Sequence, residues 1–372
     1  MVEQFFAWDL AVPDHFNQDL LMEIGVGARR ATIEQVAAAL SAVWYHHDAL
    51  RAVVRADRLH LRDVAEAGAF PLESVETSAD GLDGVLQQGG DRLHRGLDLV
   101  AGPLARALLV STPHRQCLVI VAHHLVVDLV SWQVIAEDLR TALDQAVAGE
   151  DITLPAKTAS LREWADALEV FTTHRATETD THWSAVHRAL PGADLRVEMP
   201  TPETPAASAR TEAFVLDAAA TTAIVDDGTR AYSCSVEDLA LTALGEAARR
   251  LTSQERLSVR LESHGRLEHD MLPPVDRTVG WFTSAYPVVL ETTGGPDATR
   301  AADEGTRPRG PRPRCRLLGG SSCCRPSRRD AHAELHRVGR GPGCRAGQHG
   351  RHAVGGGQPG VRRGLGRRRR RG

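Results

Sequence analysis

The chain is poor in aromatic residues, lysine and long apolar runs, and each shortage excludes a class of protein. Aromatic residues make up 4% of the 372 residues, and Lys157 is the one lysine. No apolar run has the roughly 20 residues that a membrane-spanning helix needs, so we expect no membrane association. The N-terminus lacks the positively charged segment and the apolar stretch of a secretion signal. These shortages predict a cytoplasmic protein.

Cysteine is scarce before residue 304, and the only excess of positive over negative charge lies after it. Residues 304–372 contain 19 arginines, three acidic residues and four of the six cysteines, but no Phe, Trp or Tyr. Because the whole chain has a formal charge of −4, the residues before 304 carry −20. Nucleic-acid binding requires clustered positive charge, so this acidic part makes it unexpected. Its two cysteines, Cys117 and Cys234, suit a reducing compartment.

Residues 304–372 have the composition of a disordered segment. A stretch dominated by Arg, Gly, Pro and Ser cannot bury enough apolar surface to offset the entropy of ordering. Two explanations stay open. The segment is a native basic tail that binds RNA or another polyanion, or it is the product of a reading-frame shift in GC-rich DNA. The frame shift is favoured because a strand and helix pattern breaks off in mid-domain.

Two imidazoles and a carboxylate lie within six residues in the segment His123-His124-Leu-Val-Val-Asp128. The apolar β-type run Cys117–Ala122 ends immediately before it, and a helical spacing of apolar residues begins at Val130. A strand that ends in adjacent histidines presents ring nitrogens at the edge of an element, and histidine exchanges protons near neutral pH. The segment is therefore a candidate catalytic site. Taken alone, a histidine pair of this kind is more often a structural turn.

The apolar periodicity predicts strands and helices in two successive blocks, an α/β or α+β pair of lobes. The predicted elements are a helix after the N-cap Thr32, strands at Leu104–Val110 and Cys117–Ala122, helices at about Val130–Val147 and Leu161–Val170, a strand at Glu212–Leu216, a helix at Val236–Leu251, a strand at Leu257–Leu261 and a β-rich stretch at Val279–Leu290. Pro200 to Ala209 is predicted to be an exposed connection. The predicted domains are residues 1–178, 179–303 and the tail 304–372.

Several motifs resemble those of condensation-type domains of nonribosomal peptide synthetases. His123-His124-x-x-x-Asp128 is similar to the family's H-H-x-x-x-D-G signature, with Leu129 in place of the glycine. Val130-Ser-Trp132 and Glu137-Asp-Leu139 look more like the epimerization branch than the amide-forming branch. Further similarity, in the same order along residues 1 to about 290, is carried by Phe5-Phe6, His15-Phe-Asn-Gln18, His46-His-Asp-Ala-Leu-Arg51, Glu262-Ser-His-Gly-Arg266, Asp276-Arg-Thr-Val-Gly-Trp-Phe-Thr-Ser284 and Tyr286-Pro287.

The resemblance implies a fold like that of chloramphenicol acetyltransferase, with two similar lobes in a V and a tunnel between them. Nothing in this chain matches the family's last strands and its Asn-Tyr pair, so we expect an incomplete second lobe and impaired activity. A carrier protein would bring an aminoacyl or peptidyl thioester into the tunnel on 4′-phosphopantetheine, and no cofactor would be bound directly. The expected partners are that peptidyl or acyl carrier protein and neighbouring synthetase modules.

By the same resemblance, His124 and Glu262 face each other across the tunnel and exchange protons on opposite faces of a planar intermediate, which inverts the Cα of the last residue. A glutamate held in a dry, narrow cavity is a better base near neutral pH. The positive end of the helix that starts near Val130 would help to stabilise the developing negative charge.

The other residues of the motifs are expected to support this pair. Asp128 would organise the loop through an ion pair with Arg266 or Arg277, and His123 would pack or hydrogen-bond beneath the loop. The residues expected to line the tunnel are Ser131, Trp132, Trp281 and Phe282.

No metal site is expected at His123, His124 and Asp128, because adjacent histidines on an extended chain point in opposite directions. The segment His46-His47-Asp48 looks similar, but in the family that position belongs to helix packing, so we expect it to be structural. Two other functions stay open, an amide-forming condensation domain and a noncatalytic remnant that docks a carrier protein. The residues Leu129 and Val130-Ser-Trp132 and the Glu-Ser-His-Gly-Arg motif disfavour the amide-forming domain.

Overall fold

A computed structural model of the chain describes residues 2–8, 10–26, 30–195 and 212–291. Its elements in chain order are α1 (Val2–Ala7), β1 (Asn17–Val26), α2 (Ile33–His46), β2 (Ala52–Arg55), β3 (Arg58–Leu61), α3 (Val64–Ala67), β4 (Leu72–Glu76), α4 (Leu82–Arg95), β5 (Ala105–Ser111), β6 (Arg115–His123), α5 (Leu129–Ala148), α6 (Leu161–His174), α7 (Ala176–Ala189), α8 (Ala218–Thr222), α9 (Thr229–Tyr232), α10 (Val236–Thr252), β7 (Arg256–Ser263) and β8 (Ser284–Glu291). None of the helices in these ranges combines the length and apolar character that crossing a bilayer requires.

A four-stranded sheet in the order β1-β6-β5-β4 forms the centre of the first lobe. Strand β6 is antiparallel to both of its neighbours, whereas β4 is parallel to β5. Strands β5 and β6 are buried along nearly their whole length, as expected of strands with both faces covered. Alternate residues of β5 and β6 pack against α2 and α5 on one face and against α4 on the other. The predicted strand pair is confirmed.

Capping side chains determine where the helices beside this sheet begin. The Thr32 hydroxyl accepts a hydrogen bond from the backbone N–H of Gln35, and Oε1 of the Gln35 side chain accepts one from the N–H of Thr32. The Asp128 carboxylate caps α5 by accepting from the N–H of Ser131. Such caps satisfy N–H groups that have no partner within the helix. Both predicted helices are confirmed.

The second lobe is built around the antiparallel pair β7 and β8. Helix α10 packs on one face of the pair, where Leu241 contacts a cluster that includes Leu257 and Val288. Among the described residues, β7 and β8 hydrogen-bond to each other and to no further strand. Residues 264–283, which connect them, extend to the first lobe and carry most of the contacts described below.

Two predictions for the second lobe are corrected. Glu212–Leu216 forms no strand, and Phe214 and Val215 are 87% and 94% exposed. High β-propensity produces a strand only where a neighbouring strand accepts its hydrogen bonds. The stretch Val279–Leu290 becomes β-strand only from Ser284, because residues 279–283 form a loop buried against other parts of the chain.

The mixture of strands and helices confirms the predicted fold class. The predicted boundary between residues 178 and 179 falls within α7. The predicted connection Pro200 to Ala209 and the tail 304–372 lie outside the described residues.

Candidate active site

The adjacent histidines lie where β6 ends and the chain turns toward α5. His123 is the last residue of β6, His124 begins the turn, and α5 starts at Leu129. This is the predicted order of strand, turn and helix. The two rings have opposite surroundings, since His123 is fully buried and His124 is half-buried.

His123 packs and hydrogen-bonds beneath the loop, the placement that was expected for it. Its Nε2 lies 2.9 Å from the backbone oxygen of Pro13, and its Nδ1 accepts a hydrogen bond from the N–H of Leu125 at 3.2 Å. Because a carbonyl only accepts, the ring is neutral with its proton on Nε2. Burial disfavours the charged form and lowers the pKa of His123 to about 4. The ring of Phe5 packs edge-on against it at 5.5 Å.

His124 holds its ring proton on the other nitrogen. Its Nδ1 lies 2.8 Å from the backbone oxygen of Val127. A carbonyl oxygen only accepts, so Nδ1 carries the proton and Nε2 carries the lone pair of a neutral ring. The ring stacks on Phe16 with 5.2 Å between centroids. A half-buried imidazole with its lone pair on Nε2 is suited to take a proton.

Asp128 is the centre of a buried network that joins the two lobes. Its Oδ1 lies 3.1 Å from Nη2 of Arg266, and its Oδ2 accepts a hydrogen bond from the N–H of Phe282 at 3.1 Å. The predicted ion pair with Arg266 is therefore present. Arg277, the other predicted partner, binds Glu137 and Asp138 instead.

Ser131 belongs to this network and does not line a tunnel, which corrects that prediction. It is fully buried, and its Oγ accepts from the N–H of Gly280 at 3.0 Å and from Nη2 of Arg266 at 3.1 Å. The hydroxyl proton has two acceptors in reach, Asp128 Oδ1 at 2.7 Å and the Gly280 oxygen at 2.8 Å. Every hydrogen-bonding position of the hydroxyl is thus used within the protein.

Phe282 is likewise part of the interior. Its ring lies 4.0 Å from the guanidinium carbon of Arg266 and packs edge-on against Trp164 at 6.0 Å. An aromatic face stabilises a desolvated cation, so Phe282 supports the ion pair from one side. Its predicted place on the tunnel wall stays a prediction.

The two tryptophans of the motifs are both close to His124. The ring of Trp281 lies 4.6 Å from the His124 ring, and its buried Nε1 has no hydrogen-bond partner among the described residues. Trp132 reaches the histidine indirectly, because its Nε1 donates to Oε1 of Gln18 at 2.8 Å. Their predicted role as tunnel-lining residues stays a prediction.

Glu262 lies near the end of β7, on the face opposite α10. Side chains alternate along a strand, so Glu262 shares this face with Arg260, which donates to Oε1 of Gln4 in α1 at 3.1 Å. The face is therefore turned toward the first lobe. Glu262 itself is exposed, which corrects the expectation of a dry, narrow cavity, since none of the described elements covers it.

Metal-ligand geometry occurs elsewhere in the described residues, at His46, His47 and Asp138. Asp138 is fully buried, accepts from His47 Nε2 at 2.8 Å and is paired with Arg277. The positive charge of Arg277 beside the Asp138 carboxylate disfavours the binding of a metal cation there. The arrangement is that of a buried polar contact between helices, which agrees with the structural role expected for this segment.

Two residues of the site have no signal in the sequence beyond their place in a motif. Gln18 is one of them, and pairing of β1 with β6 places it opposite Ala122, beside the histidines. Gly265 has a positive φ of +69°, and a Cβ there would lie 1.7 Å from the backbone oxygen of Phe282. The glycine therefore allows the tight turn that brings Arg266 to Asp128.

Comparison with known proteins gives matches over most of the chain. The family described as Condensation domain matches residues 6–304. Chondramide synthase of Chondromyces crocatus is 34% identical over 304 residues, which cover 78% of this chain and 8% of that protein. Surfactin synthase subunit 1 of Bacillus subtilis (strain 168) is 32% identical over 293 residues, 77% of this chain and 8% of that protein.

Among solved structures, the epimerization domain from the third module of tyrocidine synthetase B superposes with a TM-score of 0.70 at 30% identity. The match covers 78% of this chain and 65% of that domain. The chain thus spans a small part of the synthases and about two thirds of the solved domain.

Proposed function

Because this chain belongs to the condensation-domain family of nonribosomal peptide synthetases, we propose that it inverts the Cα of an aminoacyl or peptidyl thioester held on a carrier protein. The observation that carries the proposal is its similarity, at 30% identity and a TM-score of 0.70, to a solved epimerization domain. The segment Val130-Ser-Trp132, typical of the epimerization branch, supports the same choice.

Inversion begins with removal of a weakly acidic proton from the carbon next to the thioester. His124 has the lone pair that this step needs on Nε2, and its Nδ1–H is fixed by Val127. The Cα–H bond breaks, an N–H bond forms on Nε2, and the electron pair moves into the enolate. The imidazolium that results keeps its hydrogen bond to Val127. General-base catalysis of this kind contributes roughly 100- to 10,000-fold to a rate.

The second half of the reaction needs a proton donor on the opposite face of the enolate. Glu262 lies on the face of β7 that is turned toward the first lobe, and we assign the delivery of that proton to its protonated carboxyl group. The transfer leaves Glu262 ionised and His124 protonated, and from this state the same pair runs the reverse reaction, in which Glu262 removes the proton and His124 returns one. Between turnovers in one direction solvent returns a proton to Glu262 and takes one from His124, so only the configuration at Cα changes.

The role expected of the start of α5 stays a prediction. The Asp128 carboxylate accepts from one N–H group of the first turn, that of Ser131, and is itself paired with Arg266. The positive end of a helix is the sum of several N–H groups, so stabilisation of the enolate by α5 remains part of the proposal. The substrate would arrive on the phosphopantetheine arm of a carrier-protein partner from the same or a neighbouring module.

An exchange assay tests the proposal. The full chain is mixed in D2O with a carrier protein loaded with an L-aminoacyl thioester, and both deuterium at Cα and the D-isomer are measured after hydrolysis. We expect both products, at a rate reduced by the expected incompleteness of the second lobe, and a further loss of about 100-fold or more in H124A and E262Q. The matched controls are H114A in the exposed turn between β5 and β6 and E268Q at another exposed carboxylate, and both should retain activity.

Two results would overturn the proposal. Formation of a dipeptide from donor and acceptor carriers, without any D-residue, would assign the amide-forming reaction instead. Carrier binding that persists in H124A and E262Q, with no turnover in the unmodified chain, would assign a docking role.

A further inference from the structure

A chain of hydrogen bonds links Trp132 to His124 through the side-chain amide of Gln18. The indole Nε1 of Trp132 lies 2.8 Å from Gln18 Oε1, and Gln18 Nε2 lies 2.9 Å from His124 Nε2. Gln18 belongs to β1, His124 follows β6, and Trp132 lies in the first turn of α5. Three separate elements therefore hold the amide in place.

The chemistry of the two ends determines the direction of every bond in this chain. An indole N–H only donates, so the amide oxygen of Gln18 faces Trp132 and its NH2 group faces His124. At the other end, the oxygen of Val127 only accepts, so the His124 proton is on Nδ1. An NH2 group only donates, so His124 Nε2 must accept. A protonated Nε2 would place an N–H against the NH2 of Gln18.

We propose that Gln18 is a positioning residue that holds His124 neutral, with the lone pair on Nε2, and that Trp132 sets the direction of the Gln18 amide. The inference deepens the proposed function and rests on it only in naming His124 as the base. A donor bonded to the lone pair stabilises the neutral ring over the imidazolium. The same bond occupies the lone pair, so the substrate has to displace the amide before a proton moves.

Among the described residues, the charged groups nearest to His124 do not account for this state of the ring. Asp128, the carboxylate next to Val127 in the chain, is paired with Arg266 at 3.1 Å. His123, on the preceding strand, is neutral because burial lowers its pKa to about 4. Glu262 is on the second lobe and is exposed.

Nuclear magnetic resonance of the full chain labelled with 15N-histidine tests the proposal, with H124N identifying the signals of His124. We expect the wild-type ring to be protonated on Nδ1 and unprotonated on Nε2 at neutral pH. Gln18→Glu places a carboxylate oxygen where the NH2 group was, and should raise the midpoint of the His124 titration by roughly one pH unit or more. Trp132→Phe releases the amide oxygen to turn toward His124 and should move the midpoint in the same direction.

Gln87→Glu, which makes the same charge change on the exposed surface of α4, is the matched control. A wild-type ring protonated on Nε2 would overturn the proposal. So would a His124 midpoint that moves no further in Q18E than in Q87E. These measurements do not involve turnover, so they are separate from the exchange assay. A chain with the expected ring protonation and no epimerization would refute the proposed function alone.

Discussion

Arg266 and Asp128 form an ion pair between residues 138 positions apart in the sequence, with their side chains only 7% and 3% exposed. Nη2 of Arg266 lies 3.1 Å from Asp128 Oδ1. Burial lowers the pKa of Arg266 from its ordinary value, and the Asp128 charge opposes that effect. The ion pair joins the segment that carries His124 to the segment that carries Glu262. Its loss should therefore lower the stability of the fold and change the position of His124 relative to Glu262.

Replacing Asp128 with alanine should reduce the free energy of unfolding by about 3–5 kcal/mol, because it leaves the Arg266 charge buried without a counter-ion. Urea unfolding followed by circular dichroism measures this loss. The double variant D128L/R266M should lose less than the sum of its two single variants. Asp227→Ala, which breaks an exposed pair with Arg230, is the control and should change stability little. Additive losses in the double variant would show that the two charges do not interact.

Gly265→Ala should be more destabilising than Gly68→Ala, although both glycines have nearly the same φ, +69° and +68°. An added Cβ at Gly68 meets no atom within 4 Å, whereas at Gly265 it would lie 1.7 Å from the backbone oxygen of Phe282. The Gly68 variant therefore measures the cost of a strained backbone conformation, at φ +68° and ψ −161°, without a clash with another residue, roughly 1–3 kcal/mol. The excess at Gly265, obtained from parallel urea titrations, measures the steric conflict. Equal losses would contradict the close approach of residues 265 and 282.

The pattern of apolar residues was sufficient to predict the central elements of the fold. The strands at Leu104–Val110 and Cys117–Ala122 and the helix after Asp128 were predicted because burial on both faces leaves long apolar runs and because caps are local signals. Glu212–Leu216 has the composition of a strand and forms none, since pairing depends on a partner strand that local sequence does not reveal.

The sequence predicts only those parts of the site that belong to recognisable motifs. The motifs predict His124 and an ion pair of Asp128 with Arg266 or Arg277, and the pair with Arg266 is the one that forms. They also predict Ser131 on the tunnel wall, which is wrong because sequence does not tell which way a side chain points. The role of Gln18 depends on the register of β1 against β6 and on the direction of an amide. Neither is encoded in a short motif.

Ser131→Ala should cost about 1–3 kcal/mol of unfolding free energy even though it removes a single oxygen. Its hydroxyl accepts from the buried N–H of Gly280 at 3.0 Å and also bonds Asp128 at 2.7 Å. Alanine would leave that N–H without this partner, and an unsatisfied buried donor is expensive. The comparison is Ser131→Cys, which keeps a weak donor and acceptor and should lose less. A loss no larger in the alanine variant than in the cysteine variant would contradict the network.

His123 should make stability depend on pH between its two pKa values. The pKa is about 4 in the folded chain, where burial disfavours the imidazolium, and its ordinary value is 6.5. Between these values the unfolded chain binds more protons than the folded chain, so the contribution of His123 is complete above pH 6.5 and is lost as the pH falls toward 4. Lowering the pH from 6.5 to about 5 should cost about 2 kcal/mol through this residue.

Urea unfolding of the wild type and of His123→Gln, at about pH 7 and about pH 5, isolates this contribution. The glutamine amide can still donate to the oxygen of Pro13 but takes up no proton, so the variant should be less stable at neutral pH and less sensitive to acid. His15 and His46, whose pKa values burial also lowers, contribute equally to both chains and cancel in the comparison. If both chains lose the same stability on acidification, His123 is not the residue whose protonation the fold resists, and the buried position assigned to its ring is wrong.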